Sequence, residues 1–209
     1  MSVWEQYSSE QREEYVKFLQ VYGALSNLFR QKQGDMIPYL DSKFQETVLA
    51  KIFNSQNADY GNTPHDVVSV FGNDRIGIGL KTWMNSKPSF QKVMQLKRYQ
   101  NEINGVFKNN DVEALAYKIS EIKNEKMKSD YERLGLSEDK NIYHYVTRDE
   151  GRFVINECAY PLIDLNNLKK FNLTPTAFFF FFFHKDYKYT FGDFHIHQKF
   201  DSSYKYTFL

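Results

Sequence analysis

The chain has 209 residues, of which 42% are hydrophobic and 25% are charged, a composition typical of a folded globular protein. Its formal net charge of +1 excludes a global attraction to nucleic acid or membranes, so an anionic partner must bind a local patch. A single cysteine, Cys158, excludes an internal disulfide, and no stretch approaches the roughly 20 apolar residues of a membrane helix. Together with an N-terminal segment unlike a signal peptide, these features predict a cytoplasmic protein.

Two amphipathic helices are predicted at the start of the chain. Residues 10–31 place apolar side chains at helical spacing, and a second helix is expected over residues 42–53 with Ser42 as its N-cap. On the second helix, Glu46 shares a face with Leu49 and Phe53. A carboxylate in that position needs a cation or a hydrogen-bond donor nearby.

A β-hairpin is predicted in the stretch HDVVSVFGNDRIGIGLKTW, residues 65–83. Asp66 enters the first strand, Lys81 lies near the end of the second, and residues 72–74 form the turn. The two side chains are therefore expected to come close together. An acid that binds a divalent cation and an amine that orients a water molecule beside a phosphate suit phosphoryl chemistry.

Further helices and a β-rich region are predicted beyond the hairpin. A helix over residues 89–104 would place Gln95 and Tyr99 on one face, and a charged helix over residues 111–134 would end at Gly135. From about residue 140 the pattern changes to short strands, including residues 142–147, 152–159 and the run PLIDL at 161–165. A meander of strands is expected beyond Pro175.

The tract of six phenylalanines at residues 178–183 has two interpretations. As a strand, it must be buried on both faces or become prone to aggregation. At the level of the gene, phenylalanine codons consist of pyrimidines, so the tract could be a thymine run that slips and switches expression on and off. On that hypothesis the sequence after the tract could differ from the native C-terminus.

The segment from Glu46 to Tyr99 resembles the core of the PD-(D/E)XK nucleases, which include restriction endonucleases. The resemblance rests on Glu46 in the helix, Asp66 on the first strand, Lys81 in GLK on the second strand, and QLKRY after them. It implies an α/β (α+β) fold with a mixed sheet flanked by helices and a C-terminal β-rich region. Residues 1–136 would form a helical segment plus the nuclease core, and residues 137–209 a part that completes the core or contacts DNA.

The resemblance also implies roles for individual residues. Asp66 would be the metal-binding acid, Glu46 an outer carboxylate of the Mg²⁺ site, Lys81 the catalytic lysine, and Gln95 a neighbour that positions Lys81 or DNA. Contacts to DNA are expected from three residues that follow Gln95: Lys97, Arg98 and Tyr99.

One position departs from the family pattern. The second acid of the family would stand two residues before the lysine, where this chain has Gly79. Either Glu46, Asp74 or Glu102 supplies the missing oxygen, or the site is weakened or inactive.

The function implied is a Mg²⁺-dependent endonuclease, of the type II restriction class, that cuts duplex DNA as a homodimer. A non-catalytic DNA-binding or interaction protein on a degenerate nuclease fold is the alternative, and a purely structural α+β domain is a third possibility. His195 and His197 share a strand face and could bind a metal, although a polar strand face explains the pair as well.

Overall fold

The computed structural model of the protein describes residues 2–29, 37–59, 63–85, 90–107, 111–173, 180–184, 187–200 and 204–208. These residues form a mixed helical and β structure, which confirms the α+β class predicted from the sequence. The α-helices are α1 (Ser9–Phe29), α2 (Ser42–Ile52), α3 (Gln100–Phe107) and α4 (Val112–Leu134). The strands are β1 (Gln56–Asn57), β2 (Val67–Phe71), β3 (Asp74–Met84), β4 (Phe90–Gln95), β5 (Ile142–Asp149), β6 (Arg152–Ala159), β7 (Leu168–Leu173), β8 (Phe180–His184), β9 (Tyr187–Gly192), β10 (His195–Lys199) and β11 (Tyr204–Phe208).

The chain divides into two compact units, and each is assembled from separate segments. The first unit comprises Met1–Pro88, Arg133–Pro161 and Asp201–Leu209, and the second comprises Ser89–Glu132 and Leu162–Phe200. The separate roles expected for residues 1–136 and 137–209 stay a prediction.

The first unit contains a mixed sheet with the strand order β1-β2-β3-β5-β6-β11. β3 and β5 are parallel, whereas the other neighbours are antiparallel. Apolar residues of α1 and α2, including Leu19 and Leu49, form one hydrophobic core with Ile78, Leu80 and Ile155 of the sheet. This core fixes α2 against the strand pair β2–β3, which carries the residues of interest.

Capping residues define the ends of the helices in the first unit. Ser8 and Gln11 form a reciprocal capping box at the start of α1, with two hydrogen bonds of 3.2 Å. The prediction that Ser42 caps α2 is wrong: Asp41 has the extended backbone of an N-cap, and its carboxylate accepts a hydrogen bond of 3.0 Å from the Phe44 N–H. At the C-terminal end of α4, most of which belongs to the second unit, Gly135 has a φ of +64°, which confirms the predicted stop.

The second unit contains an antiparallel sheet with the order β4-β10-β9-β8-β7. The helix predicted over residues 89–104 is wrong in its first half, because residues 90–95 form β4 and pair with β10. A short 3-10 turn at Lys97–Tyr99 follows, and α3 begins only at Gln100. Pairing with a strand a hundred residues later decides the structure of a short segment whose apolar spacing fits either element.

The C-terminal segments agree only in part with the predicted meander. β7 to β10 are consecutive antiparallel neighbours, as expected, whereas β11 pairs with β6 in the sheet of the first unit. The strand predicted at 161–165 is absent, because the side chain of Asn124 satisfies the backbone N–H and C=O of Ile163 at 2.8 and 2.7 Å. Part of the phenylalanine tract forms β8. The predicted burial of its side chains concerns residues whose side chains lie outside those that the structure describes.

None of the helices in the described ranges combines the length and the apolar character required to cross a membrane.

Candidate metal and catalytic site

Asp66 directly precedes β2, and Lys81 lies on β3 of the same hairpin. The register pairs Val67 with Ile78, whereas the Asp66 backbone N–H also donates to the Ile78 carbonyl at 2.9 Å, so the strand register does not continue to Asp66. The side chain of Lys81 points to the face of β3 opposite that of Leu80, which packs in the core with α2. The positive charge of Lys81 acts on Asp66, whose carboxylate also accepts a hydrogen bond from the Leu80 backbone N–H. The two charges are therefore close enough to interact, and the convergence of both side chains on one site stays a prediction.

Three carboxylates meet at the start of β2. Glu46 of α2, Asp59 of the loop after β1, and Asp66 each contribute an oxygen, and these oxygens lie within 4.8 Å of one another. Within the described ranges, no other three His, Cys, Asp or Glu side chains bring their ligand atoms so close together. Glu46 is buried and the other two are partly buried, so the group is a pocket of negative charge and not a solvated patch.

Lys43 supplies a positive charge to this acidic cluster of Glu46, Asp59 and Asp66. Its Nζ lies 2.7 Å from Glu46 Oε2 and 2.7 Å from Asp59 Oδ2, while its side chain remains largely exposed. The hydrogen bonds to Asp59 and Glu46 raise the pKa of Lys43 above its usual range. The ammonium group therefore bridges two of the three carboxylates from the solvent side.

The environment disfavours the charged forms of Glu46 and Asp66. Burial raises the pKa of Glu46, and the negative charge of Asp66 adds to the effect, although the hydrogen bond from Lys43 opposes it. Burial also raises the pKa of Asp66 against the opposing influence of Lys81 and of the hydrogen bond from Leu80. A cation that replaced water beside these carboxylates would relieve both effects.

The structure gives a physical reason for the glycine at residue 79. A Cβ atom at Gly79 would lie 2.8 Å from two ring carbons of Tyr143 and 3.3 Å from a ring carbon of Tyr160. These two rings stack with their centroids 3.8 Å apart and are buried. An acid at residue 79 would therefore collide with the tyrosine pair.

Other candidates for the missing acid lie elsewhere. Asp74 begins β3 beside the hairpin turn, where it pairs with Phe71, and it forms an ion pair of 2.7 Å with Lys140. Glu102 belongs to α3 of the second unit, where it lies 3.4 Å from Lys118. Of the three acids considered from the sequence, Glu46 alone belongs to the acidic cluster.

Gln95 and residues 97–99, which were expected on a helix after the hairpin, lie in the second unit. Gln95 is an exposed residue at the end of β4, and the 3-10 turn holds the proposed DNA contacts Lys97, Arg98 and Tyr99. The prediction that Gln95 and Tyr99 share a helix face is wrong, because no helix contains both. The roles of these four residues stay predictions.

The histidine pair of β10 forms no part of the acidic cluster. The rings of His195 and His197 have centroids 6.3 Å apart. Burial, with smaller effects from His195 and Lys92, lowers the pKa of His197. A lysine beside the pair disfavours a bound cation, so a polar strand face accounts for these residues.

Sequence reasoning missed two members of the site, Asp59 and Lys43. Asp59 lies in a polar loop that the sequence marks only as a break between a helix and a strand. Lys43 stands three residues before Glu46, and this helical spacing predicts an ion pair between them. The loop acid carried no comparable signal.

Comparison with protein-family models, with curated proteins and with solved structures gives no match for this chain.

Proposed function

We propose that the protein is a Mg²⁺-dependent endonuclease that hydrolyses phosphodiester bonds of duplex DNA, of the type II restriction class. The observation that carries the proposal is the cluster of the carboxylates of Glu46, Asp59 and Asp66, with Lys81 close enough to act electrostatically on Asp66. The observed order of a helix with Glu46, two antiparallel strands with Asp66 and Lys81, a later helix, and a strand parallel to the second also supports it. We further propose a cytoplasmic location.

The donor set of the acidic cluster suits Mg²⁺. Carboxylate oxygens are the ligands that this ion prefers, usually one or two of them together with water. Glu46 and Asp66 would hold the ion, and Asp59 would take the place of the acid that Tyr143 excludes from residue 79. When bound, Mg²⁺ supplies Lewis-acid polarisation of a phosphate and lowers the pKa of a coordinated water.

The side chains of the chain itself would position the substrate. Lys81 of β3 would donate hydrogen bonds to a phosphate oxygen and offset the negative charge that develops there. The hydrogen bond from the Leu80 N–H holds the Asp66 carboxylate just before β2. The hairpin would thus orient the acid and the amine, as positional catalysis requires.

Cleavage of plasmid DNA tests the proposal. The purified protein should convert supercoiled plasmid to linear or nicked forms with Mg²⁺, and EDTA should abolish the reaction. Lys81→Ala should lower the rate by about 100-fold or more, as expected for loss of a positioned hydrogen-bond donor that stabilises developing charge. Lys51→Ala, which alters an exposed lysine of α2, is the matched control and should retain the activity of the parent.

The alternative function is non-catalytic binding of DNA. It is favoured by the exclusion of an acid from residue 79 and by the bridging position of Lys43. A protein that shifts duplex DNA in a gel but leaves it intact at every Mg²⁺ concentration would support this alternative. A protein that neither binds nor cuts would support the purely structural domain.

A further inference from the structure

The sheet of the second unit has one buried face and one polar face. Along β10, Ile196 and Gln198 are buried, whereas His195, His197 and Lys199, which alternate with them, are partly exposed. Alternate residues of a strand point to opposite sides of a sheet, so these three side chains share the polar face. The two histidines therefore belong to a larger surface.

Neighbouring strands add further basic residues to this surface. Lys92 of β4 is exposed and lies opposite His197 of β10. Thr190 of β9 lies opposite His197 on the other side, and Lys188 precedes Thr190 by two residues. Because opposed residues of antiparallel strands point to the same side, both lysines lie on the polar face.

An aromatic ring lies among these cations. Phe90 of β4 lies opposite Lys199 and is partly exposed, and the Nζ of Lys188 is 5.6 Å from the centre of its ring. This contact reaches from β9 to β4 across β10, so the three strands present one continuous surface. We refer to its ring-bearing and basic residues as the basic face: Phe90, Lys92, Lys188, His195, His197 and Lys199.

The cations of the basic face lie close enough to repel one another. Burial lowers the pKa of His197, and the positive charges of His195 and Lys92 add to this effect. One acid, Asp193, stands at the edge of the face, where its Oδ2 lies 3.9 Å from the Nδ1 of His195 and its side chain is 92% exposed. A bound anion would relieve the repulsion, so the basic face is complementary to a polyanion.

The arrangement of the basic face favours a single strand of nucleic acid over a duplex. The bases of a duplex are stacked inside it, and its major groove admits a helix or a two-stranded ribbon but not the flat face of a sheet. An unpaired strand exposes both phosphates and bases, and it binds where cations and aromatic rings share one surface. Phe90 opposite Lys199 and Lys92 opposite His197 place a ring beside a cation in two pairs along the same two strands.

We propose that the basic face binds single-stranded nucleic acid, with its lysines contacting phosphates and its rings stacking on bases. The proposal goes beyond the cleavage of duplex DNA, and it uses none of the residues of the acidic cluster.

Fluorescence anisotropy of labelled oligonucleotides tests the proposal on the full chain, in EDTA so that no metal-dependent cleavage occurs. Single-stranded DNA and RNA should bind at least about tenfold more tightly than a duplex of the same length. Each phosphate contact on a single strand contributes about 0.7 to the slope of log affinity against log salt, so Lys92→Gln should reduce this slope by about 0.7. Lys128→Gln, at an exposed lysine of the same unit, is the matched control and should keep the slope of the parent.

Two further variants separate stacking and charge from an effect on folding. At about pH 8, where histidine is largely neutral, His195→Ser, His197→Ser should bind single strands about tenfold more weakly with an unchanged salt slope. Lys92→Arg keeps the charge and should bind as the parent does. Circular dichroism should give the same spectrum for every variant.

Three results would overturn the proposal. The first is a parent protein that binds no single-stranded oligonucleotide, and the second is a parent that binds the duplex as tightly as the single strands. The third is an equal salt slope for Lys92→Gln and Lys128→Gln. Because the measurement needs neither metal nor cleavage, a failure of the nuclease proposal leaves its outcome unchanged.

Discussion

The ring of Tyr143 lies so close to Gly79 that a Cβ atom on residue 79 would come within 2.8 Å of two ring carbons. Because Tyr143 is buried and stacks on Tyr160, the ring has little freedom to move away. We expect Gly79→Ala to lower the free energy of unfolding by about 1–3 kcal/mol, the usual cost of overpacking a core. Urea denaturation followed by tryptophan fluorescence measures the difference.

Gly105→Ala is the matched control for this substitution. Gly105 lies in α3 with no heavy atom within 4 Å of an added Cβ, and alanine is a better helix former than glycine. This variant should be unchanged or more stable by up to about 1 kcal/mol. Equal effects of the two substitutions would contradict the steric account of residue 79.

Lys43 competes with a metal ion for two carboxylates of the acidic cluster. Its ammonium group lies 2.7 Å from oxygens of both Glu46 and Asp59, so a cation that binds them must displace it. We therefore expect Lys43→Met to bind Mn²⁺ more tightly than the parent, by about tenfold if the lost competition is worth roughly 1.4 kcal/mol. Titration of free Mn²⁺ by electron paramagnetic resonance gives both affinities.

A control lysine on the same helix isolates the effect of the bridging contact. Lys51→Met removes one positive charge from α2 at an exposed position and should leave the Mn²⁺ affinity close to that of the parent. If both variants bind Mn²⁺ alike, a general change of charge and not the displacement of Lys43 is responsible. If neither variant nor the parent binds Mn²⁺, the acidic cluster is not a metal site.

Glu46 should destabilise the metal-free protein at neutral pH. Burial raises the pKa of Glu46 in the folded state above its value in the unfolded chain, so the folded state holds the proton more tightly. The associated stability is present below the unfolded pKa of about 4.3 and is lost as the pH rises through the folded pKa. Glu46→Gln should thus be more stable than the parent at pH 7 in EDTA, with a difference that shrinks toward pH 4.

Urea midpoints at both pH values check this prediction, with Glu132→Gln at an exposed site of α4 as the control. The control should alter the midpoint little at either pH, because its carboxylate is solvated in both states. A parent that is more stable than Glu46→Gln at pH 7 would mean that the ion pair with Lys43 outweighs the cost of burial.

Lys123 should also lower the free energy of unfolding near neutral pH. Burial lowers the pKa of this amine, whereas it raises the pKa of the Glu46 carboxyl. The Lys123 side chain is fully buried in α4, its Nζ donates to Met127 Sδ at 3.0 Å, and burial lowers the pKa of Lys123 to about 7. The unfolded chain, with a lysine pKa of about 10.4, binds this proton more readily, so the stability of the parent should rise between about pH 7 and pH 10.

Lys123→Met removes this dependence and keeps the volume of the side chain. It should be more stable than the parent at pH 7 by an amount that decreases as the pH approaches 10, as measured by urea denaturation across this range. Lys128→Met, at an exposed position of the same helix, should follow the pH dependence of the parent. A parent and a Lys123→Met variant with parallel pH profiles would contradict the burial of an ionisable amine.

Local pattern was sufficient for the elements that bury their own apolar face. The hairpin from Val67 to Met84 and the helix that ends before Gly135 follow from alternation, helical periodicity and a glycine at positive φ. β4 could not be predicted in this way, because its partner β10 lies about a hundred residues away. Distant pairing supplies no signal in a short window of sequence.

In the candidate site, too, some residues could be identified from local sequence and others could not. Asp66 and Lys81 could be identified because a tight turn folds the segments that carry them onto each other, and Glu46 because a carboxylate on an apolar helix face demands a partner. Asp59 could not, because only the folded loop carries it to Glu46 and Asp66. An acid in a polar loop has the same sequence context whether or not it faces a site.

The parallel pairing of β3 with β5 joins residues such as Ile78 and Ile142, and the chain between them contributes a continuous segment to the other unit. Contacts of such long range form late, because the entropy of closing the intervening loop must be overcome first. The hairpin with Asp66 and Lys81 can therefore form early, whereas β5 can pair with β3 only after the intervening segment has folded. A break in the backbone of that intervening segment should slow the assembly of the sheet without removing any residue of the acidic cluster. The two fragments should reassociate through the pairing of β3 with β5.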